Sequence, residues 1–198
     1  MNKLFIFTAI NPSFVAVWEG TTIYELLVHR GRGSKFLAKI LDTFLVEYDE
    51  IWIATGPGMF TGTRVGVAYV LGLAAGLNLD HLYVYDTFDF LYAPYYGESM
   101  WVVIPARRGE VYAAFYEKGN KLEEGVYSDG YIKEAKAPIL SYANNVSTTV
   151  IRKKISVEHV DALMKHGLYK VLSPEDVKVK YMKPITEEYK VYGKYKRS

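Results

Sequence analysis

The chain has 198 residues, half of them hydrophobic, and a formal net charge of +2. That length supports one large domain or two small ones around a sizeable core, and the charge is too small to imply nucleic-acid binding by itself. The absence of cysteine excludes disulfides, thiolate chemistry and Cys-ligated metal sites, and is compatible with a reducing compartment.

The N-terminal run Met1 to Phe7 carries one Lys and no small-residue cleavage site, so it reads as a first strand and not as a secretion signal. Charge, Gly or Pro interrupts every apolar run, and no membrane-spanning stretch is expected. Leu4 to Thr8, Phe14 to Trp18 and Thr22 to Val28 read as strands separated by the turns Asn11-Pro12-Ser13 and Glu19-Gly20. They predict an antiparallel meander that opens the domain, with Glu25 giving the third strand a wet face.

Ser34 is a plausible N-cap for a helix whose apolar residues Phe36, Leu37, Ile40, Leu41, Phe44 and Leu45 recur at helical spacing. So wide an apolar arc must cover a sheet and something else, either another helix or a partner. Asp49 to Ala54 is a strand, and a helical pattern covers Arg64 to Leu77. That second helix holds a ridge of small residues at four-residue spacing: Gly62 and Gly66, then Ala68, Gly72 and Gly76. Glycine inside a helix costs about 1 kcal/mol against Ala, so close contact with another backbone is expected to compensate. Leu82 to Tyr85 reads as a strand and Thr87 to Tyr92 as a short helix.

Ala93 to Ser99 breaks the periodicity and divides the chain into an N-terminal α/β part, 1–96, and a C-terminal α/β part, 97–198. Met100 to Ile104 and Val111 to Glu117 are strands, with Lys118-Gly119-Asn120 as a hairpin turn. Ile139 to Tyr142 reads as a strand, and Val157 to His166 as a helix stopped by Gly167. The last stretch interleaves Lys178, Lys180, Lys183, Lys190, Lys194, Lys196 and Arg197 with Tyr181, Tyr189, Tyr192 and Tyr195. Such a mixture can bind single-stranded nucleic acid; a solvated tail is the plainer reading.

The segment Gly56-Pro57-Gly58-Met59-Phe60-Thr61-Gly62-Thr63-Arg64-Val65-Gly66 joins a strand to a helix N-terminus. Gly56, Gly58, Thr61 and Gly62 make a candidate anion-binding loop, because glycine admits close backbone approach and a helix start presents unpaired N–H groups. The same residues can make a tight packing corner. The P-loop pattern is excluded because Gly62 is followed by Thr63-Arg64, and the dinucleotide pattern because its third Gly falls at 62, one residue late. Arg64 gains nothing from the helix dipole this near the N-terminus, so it is expected to brace the loop against a neighbouring element. Arg107-Arg108 suits phosphate or carboxylate, or forms a basic turn on Glu110.

No catalytic constellation accompanies the loop. His29, His81, His159 and His166 carry no HExxH-type pattern, and no nucleophile elbow is present. Asp42, Asp49, Asp80, Asp86 and Asp89 lie mostly at element ends, unpaired with the loop in sequence. No metal and no cofactor is expected.

The run Ile53 to Gly66, continued through Val67 to Ala74, resembles the signature of the bacterial TsaB family, also called YeaZ. Ala106-Arg107-Arg108-Gly109-Glu110-Val111-Tyr112 resembles a second family block, and Val179-Lys180-Tyr181-Met182-Lys183 a short C-terminal one. The resemblance covers nearly the whole chain in order and spacing. It implies the fold of the actin-like ATPase and Hsp70 superfamily, ribonuclease H-like, with two adjoining subdomains. It also implies a cytoplasmic accessory subunit without independent activity. Such a subunit supports the homologous catalytic subunit TsaD, with the ATPase TsaE, in forming threonylcarbamoyladenosine at adenosine 37 of tRNA, and meets tRNA only through that complex. Family members form homodimers and pair with TsaD through helices of the N-terminal subdomain. On that basis Leu37, Leu41, Phe44, Gly66, Ala68, Tyr69 and Gly72 are the candidate partner-binding residues, in an interface of about 1600 Å². Arg64, Arg107 and Arg108 are candidates for recognition or for bracing the fold.

The chain departs from the family pattern at four places. Phe7-Thr8-Ala9 stands where the family has Asp-Thr-Ser, Gly33-Ser34 where it has His-Ser, Pro105 where it has Asp, and Val179 where it has Pro. Three readings follow: a non-catalytic subunit of the tRNA-modifying complex, an autonomous nucleotide-binding enzyme of the superfamily, and a diverged homodimer with another partner. Phe7 in place of an acid weighs against the second.

Overall fold

The structure is a computed structural model, and it describes residues 1–20, 22–29, 37, 48–106, 109–141, 151–152 and 154–183. The helix expected from Ser34, the Arg107-Arg108 pair and the tail beyond Lys183 lie outside the described residues.

Strands β1 (Asn2–Phe7), β2 (Ser13–Glu19) and β3 (Thr22–His29) form the expected antiparallel meander. Strand β4 (Glu50–Gly56) lies parallel to β1 on its other side. Helix α1 (Phe60–Leu77) crosses over to β5 (Leu82–Asp86), which is parallel to β4. Asp86 then caps α2 (Thr87–Tyr92), its Oδ1 accepting the Phe88 N–H at 2.7 Å. After a short 3-10 turn, Ala93–Tyr95, the chain begins a second sheet.

That sheet is built from β6 (Met100–Pro105), β7 (Glu110–Glu117), β8 (Asn120–Ser128), β9 (Ile139–Ser141) and β10 (Ile151–Arg152), in the order β10-β9-β6-β7-β8. A short helix α3 (Asp129–Lys133) follows β8, and α4 (Val157–Lys165) follows β10. Strand β11 (Lys170–Leu172) then returns to the first sheet, antiparallel to β5, giving the order β11-β5-β4-β1-β2-β3.

The period-two alternation of the strands sends their side chains to two different cores. Leu4, Ile6, Val15, Val17, Ile51 and Ile53 pack against Val67, Val70 and Ala74 of α1. The alternate residues Phe5, Phe7, Phe14, Trp18, Trp52 and Tyr85 face inward and meet Phe88 and Phe90 of α2. The same core takes Val102, Ile104 and Tyr116 from the second sheet and Val160 and Leu163 from α4. The ring of Phe5 lies 4.7 Å from Tyr85 and 5.5 Å from Phe90, and that of Phe7 lies 4.6 Å from Phe90. Each such pair contributes about 0.5–1.5 kcal/mol beyond the area it buries. The outer face of the second sheet has its own smaller core around Trp101, Val103 and Ile132.

Helix α1 begins at Phe60, close to the start expected near Thr61 and one turn before the periodic pattern at Arg64, with Met59 in the extended backbone of an N-cap. Two expectations need correction. Strand β8 was not expected: it is an edge strand whose Lys121, Glu123 and Glu124 hide the alternation, and a register shift at Phe115/Tyr116 breaks it. Helix α1 also has the length and composition to cross a bilayer, with a mean hydropathy of 1.3 over its 18 residues. Its internal glycines do not interrupt it, because Gly62 and Gly66 are buried where the helix meets the end of β1.

Candidate functional site

The glycine loop is gripped from two sides. On one, the Met59 N–H donates to Ala9 O at 2.6 Å, and Thr8 Oγ1 donates to Gly62 O at 2.9 Å. A Cβ at Gly58, Gly62 or Gly66 would overlap Ala9 O, Thr8 O and Thr8 Oγ1 respectively. These glycines let α1 and its leading turn sit directly on the β1–β2 connection. On the other side, the Lys180 N–H donates to Thr55 O at 2.8 Å. Gly56, at φ +116°, brings its Cα so close to Lys180 O that an added Cβ would lie 2.6 Å from it. The bare faces of Gly58 and Gly62 are therefore turned toward the chain's own carbonyl oxygens, which repel an anion. The packing corner accounts for both residues. Thr61 is exposed at the rim.

Phe7, at the position where the resemblance implies an acid, is fully buried against Phe90 in the aromatic core. The neighbouring Thr8, also buried, spends its hydroxyl on Gly62.

The structure divides the small-residue ridge of α1. Gly62 and Gly66 face inward onto Thr8. Ala68, Gly72, Ala75 and Gly76 are exposed, and nothing lies within 4 Å of a Cβ built on Gly72 or Gly76. Tyr69 is half-buried beside this face, and its burial holds its phenol above the usual value. Arg64 is exposed on the same side, its guanidinium 4.8 Å above the Phe60 ring. Of the candidate partner residues, Leu37 and Gly66 are thus buried within the chain, Ala68 and Gly72 are outward, and Leu41 and Phe44 lie outside the described residues.

A charged cluster that sequence reasoning missed lies beside the loop. Lys121 Nζ is 3.0 Å from Asp89 Oδ1 and 3.3 Å from both Asp86 Oδ2 and Glu124 Oε2. Lys180 Nζ is 2.6 Å from Asp86 Oδ2 and 2.5 Å from Glu124 Oε1. Tyr116 donates its hydroxyl to Asp89 Oδ1. Burial, with the charge of Asp86 added, raises the Asp89 carboxyl against the pull of Lys121. Burial would also raise Glu124, but the Lys180 hydrogen bond and the Lys121 charge outweigh it and hold that carboxyl below its usual range. Burial would lower Lys121, and Asp86 and Asp89 outweigh it in the other direction. The cluster borders a cavity of about 470 Å³ lined by Thr55, Tyr85, Tyr169 and Lys170 among others. The C-terminal segment that supplies Lys180 also pairs Lys183 with Glu110.

The histidines do not converge. His159 is buried, its Nδ1 accepting the Ser156 N–H at 3.3 Å, while His166 stacks on Tyr96 at 4.0 Å. Among the described residues, no group of three His, Asp or Glu side chains is placed to hold a metal ion.

Two sheets share an aromatic core, with a helix-backed glycine corner at their junction, and the fold is of the actin-like ATPase type. The solved structure of YeaZ from Pseudomonas aeruginosa superposes with a TM-score of 0.65 at 19% identity, covering 91% of this chain and 99% of that one. A second structure, of a protein with similarity to peptidase YeaZ from P. aeruginosa, gives 0.62 at 19% identity, covering 92% and 99%. The sequence model of one family, TsaD, tRNA N6-adenosine threonylcarbamoyltransferase, matches residues 34–181, and the chain belongs to that family. Within it the chain is TsaB/YeaZ-like: it is 29% identical over 138 residues to the tRNA threonylcarbamoyladenosine biosynthesis protein TsaB of Escherichia coli (strain K12). That alignment spans 64% of this chain and 58% of the E. coli protein.

Proposed function

We propose that this chain acts in tRNA threonylcarbamoyladenosine biosynthesis as a non-catalytic subunit, and that the outer face of α1 docks a TsaD-like catalytic subunit. The observation that carries the docking surface is the open, small-residue row Ala68, Gly72 and Gly76, over which another helix can approach closely. Membership of the transferase family and similarity to a protein of that biosynthetic pathway support the process. The burial of Phe7 in the aromatic core supports an accessory role, because an acid that would manage metal and phosphate at this strand end is replaced by a packed ring. In this reading the protein works in the cytoplasm and meets a TsaE-like ATPase and tRNA only in the assembled complex.

The same face serves a homodimer when the catalytic subunit is absent, since one open helix row is self-complementary under a two-fold axis. Co-expression of the chain with its own cell's TsaD-like subunit tests the proposal: the two co-purify and together restore tRNA modification. Co-purification failing in the parent chain, with both proteins folded, contradicts it.

A further inference from the structure

In open α/β sheets, ligands enter at the crevice outside the carboxyl ends of the parallel strands. Here β4 ends at Gly56 and β5 at Asp86, and the cavity of about 470 Å³ lies beside these ends. What closes it differs in kind from what closes the rest of the molecule. Behind it the two sheets are joined by the aromatic core, which is buried. At the crevice they are joined by charge. Lys121 comes from β8, the edge strand of the second sheet, and reaches Asp86 and Asp89 at the end of the first. Lys180 comes from the C-terminal segment and reaches Asp86 on one sheet and Glu124 on the other. Its main chain is anchored at the same time on Thr55.

We infer that Lys121 and Lys180 form an ionic latch, which holds the edge strand β8 and the segment 177–183 over the crevice and whose release opens the crevice while the core stays folded. The side chains of Lys180 and Glu124 keep 32% and 30% of their exposure, so solvent ions reach them. Salt weakens such pairs, whereas it leaves an apolar core intact or strengthens it. The latch and the core therefore respond differently to ionic strength, and that difference separates a gate from ordinary structural glue.

Amide hydrogen exchange on the full chain reads it directly. Raising NaCl from about 0.01 M to about 1 M shortens the screening length from about 30 Å to about 3 Å. In the parent, residues 119–125 and 177–183 then exchange about tenfold faster, an effect between that of an exposed and a buried pair, while residues 84–89, which belong to the core, keep their rates. Residues 4–7, 14–18 and 67–74 keep their rates. In the double variant Glu124→Gln, Lys180→Met the segments 119–125 and 177–183 already exchange fast at low salt, and added salt changes them little. Salt-independent exchange of those segments in the parent overturns the inference, and so does acceleration spread evenly over the chain. Should the double variant not fold, the salt comparison on the parent alone decides.

Discussion

Thr8 and Gly66 are in direct contact: the threonine hydroxyl occupies the space that any side chain at position 66 would need. That hydroxyl also donates to Gly62 O one turn earlier, so a single residue at the end of β1 fixes the first two turns of α1. The consequence is a helix whose glycines have opposite meanings on its two sides.

Gly66→Ala is expected to destabilise the fold by about 1–3 kcal/mol through overpacking, despite the better helix propensity of Ala. Gly76→Ala, in open space at an ordinary helical backbone, is expected to stabilise by about 1 kcal/mol. Denaturant midpoints of the two variants check both signs. Equal shifts in the same direction would show that Thr8 does not press on the helix.

Phe7→Asp places, in an apolar setting, the acid that the resemblance implies at this position. It removes a fully buried ring, at about 3–5 kcal/mol, and leaves a carboxylate among Phe5, Phe14 and Phe90. The expected outcome is a chain largely unfolded at 25 °C by circular dichroism, with no gain of ATPase activity. A stable variant that hydrolyses ATP would show that the site is dormant and not lost.

Lys121 gives the fold a pH signature. Its folded-state pKa lies above its usual 10.5, because Asp86 and Asp89 outweigh the effect of burial. A raised pKa means that its contribution is fully present below 10.5 and is lost as pH rises through the folded value. The stability gap between the parent and Lys121→Met is therefore expected to be constant near neutrality and to shrink in alkaline buffer. Urea titrations across that window measure the gap. A gap that widens with rising pH would contradict the geometry of the cluster.

How much of this was legible in the sequence depends on how local the cause is. The strand–loop–helix around Gly56 to Gly66 was readable because glycine spacing and flanking apolar runs lie within a short segment. Helix α2, Thr87–Tyr92, was readable because its cap and apolar residues are contiguous. Which face of the α1 ridge is covered was not legible. The two-residue step from Gly66 to Ala68 puts the two rows on different sides of the helix, but only the position of Thr8, far away in sequence, decides that Gly62 and Gly66 are the covered ones. The latch was invisible for the same reason. Asp86 ends β5 and Asp89 lies in α2, whereas Lys121 and Lys180 arrive from a hairpin in the other sheet and from the C-terminal segment. Strand β8 escaped because its charges answer to that cluster and not to the alternation of a half-buried strand.

The most direct test of the account is the affinity for the TsaD-like subunit of the parent chain, of Gly72→Ala and of Gly72→Leu, measured by calorimetry on purified folded proteins. Position 72 is open, so both variants keep the fold. If the outer face of α1 is the docking surface, the leucine wedges the helices apart and weakens binding by at least about thirtyfold, or about 2 kcal/mol, while Gly72→Ala binds close to the parent. Gly72→Leu binding the partner as tightly as the parent would contradict the central claim.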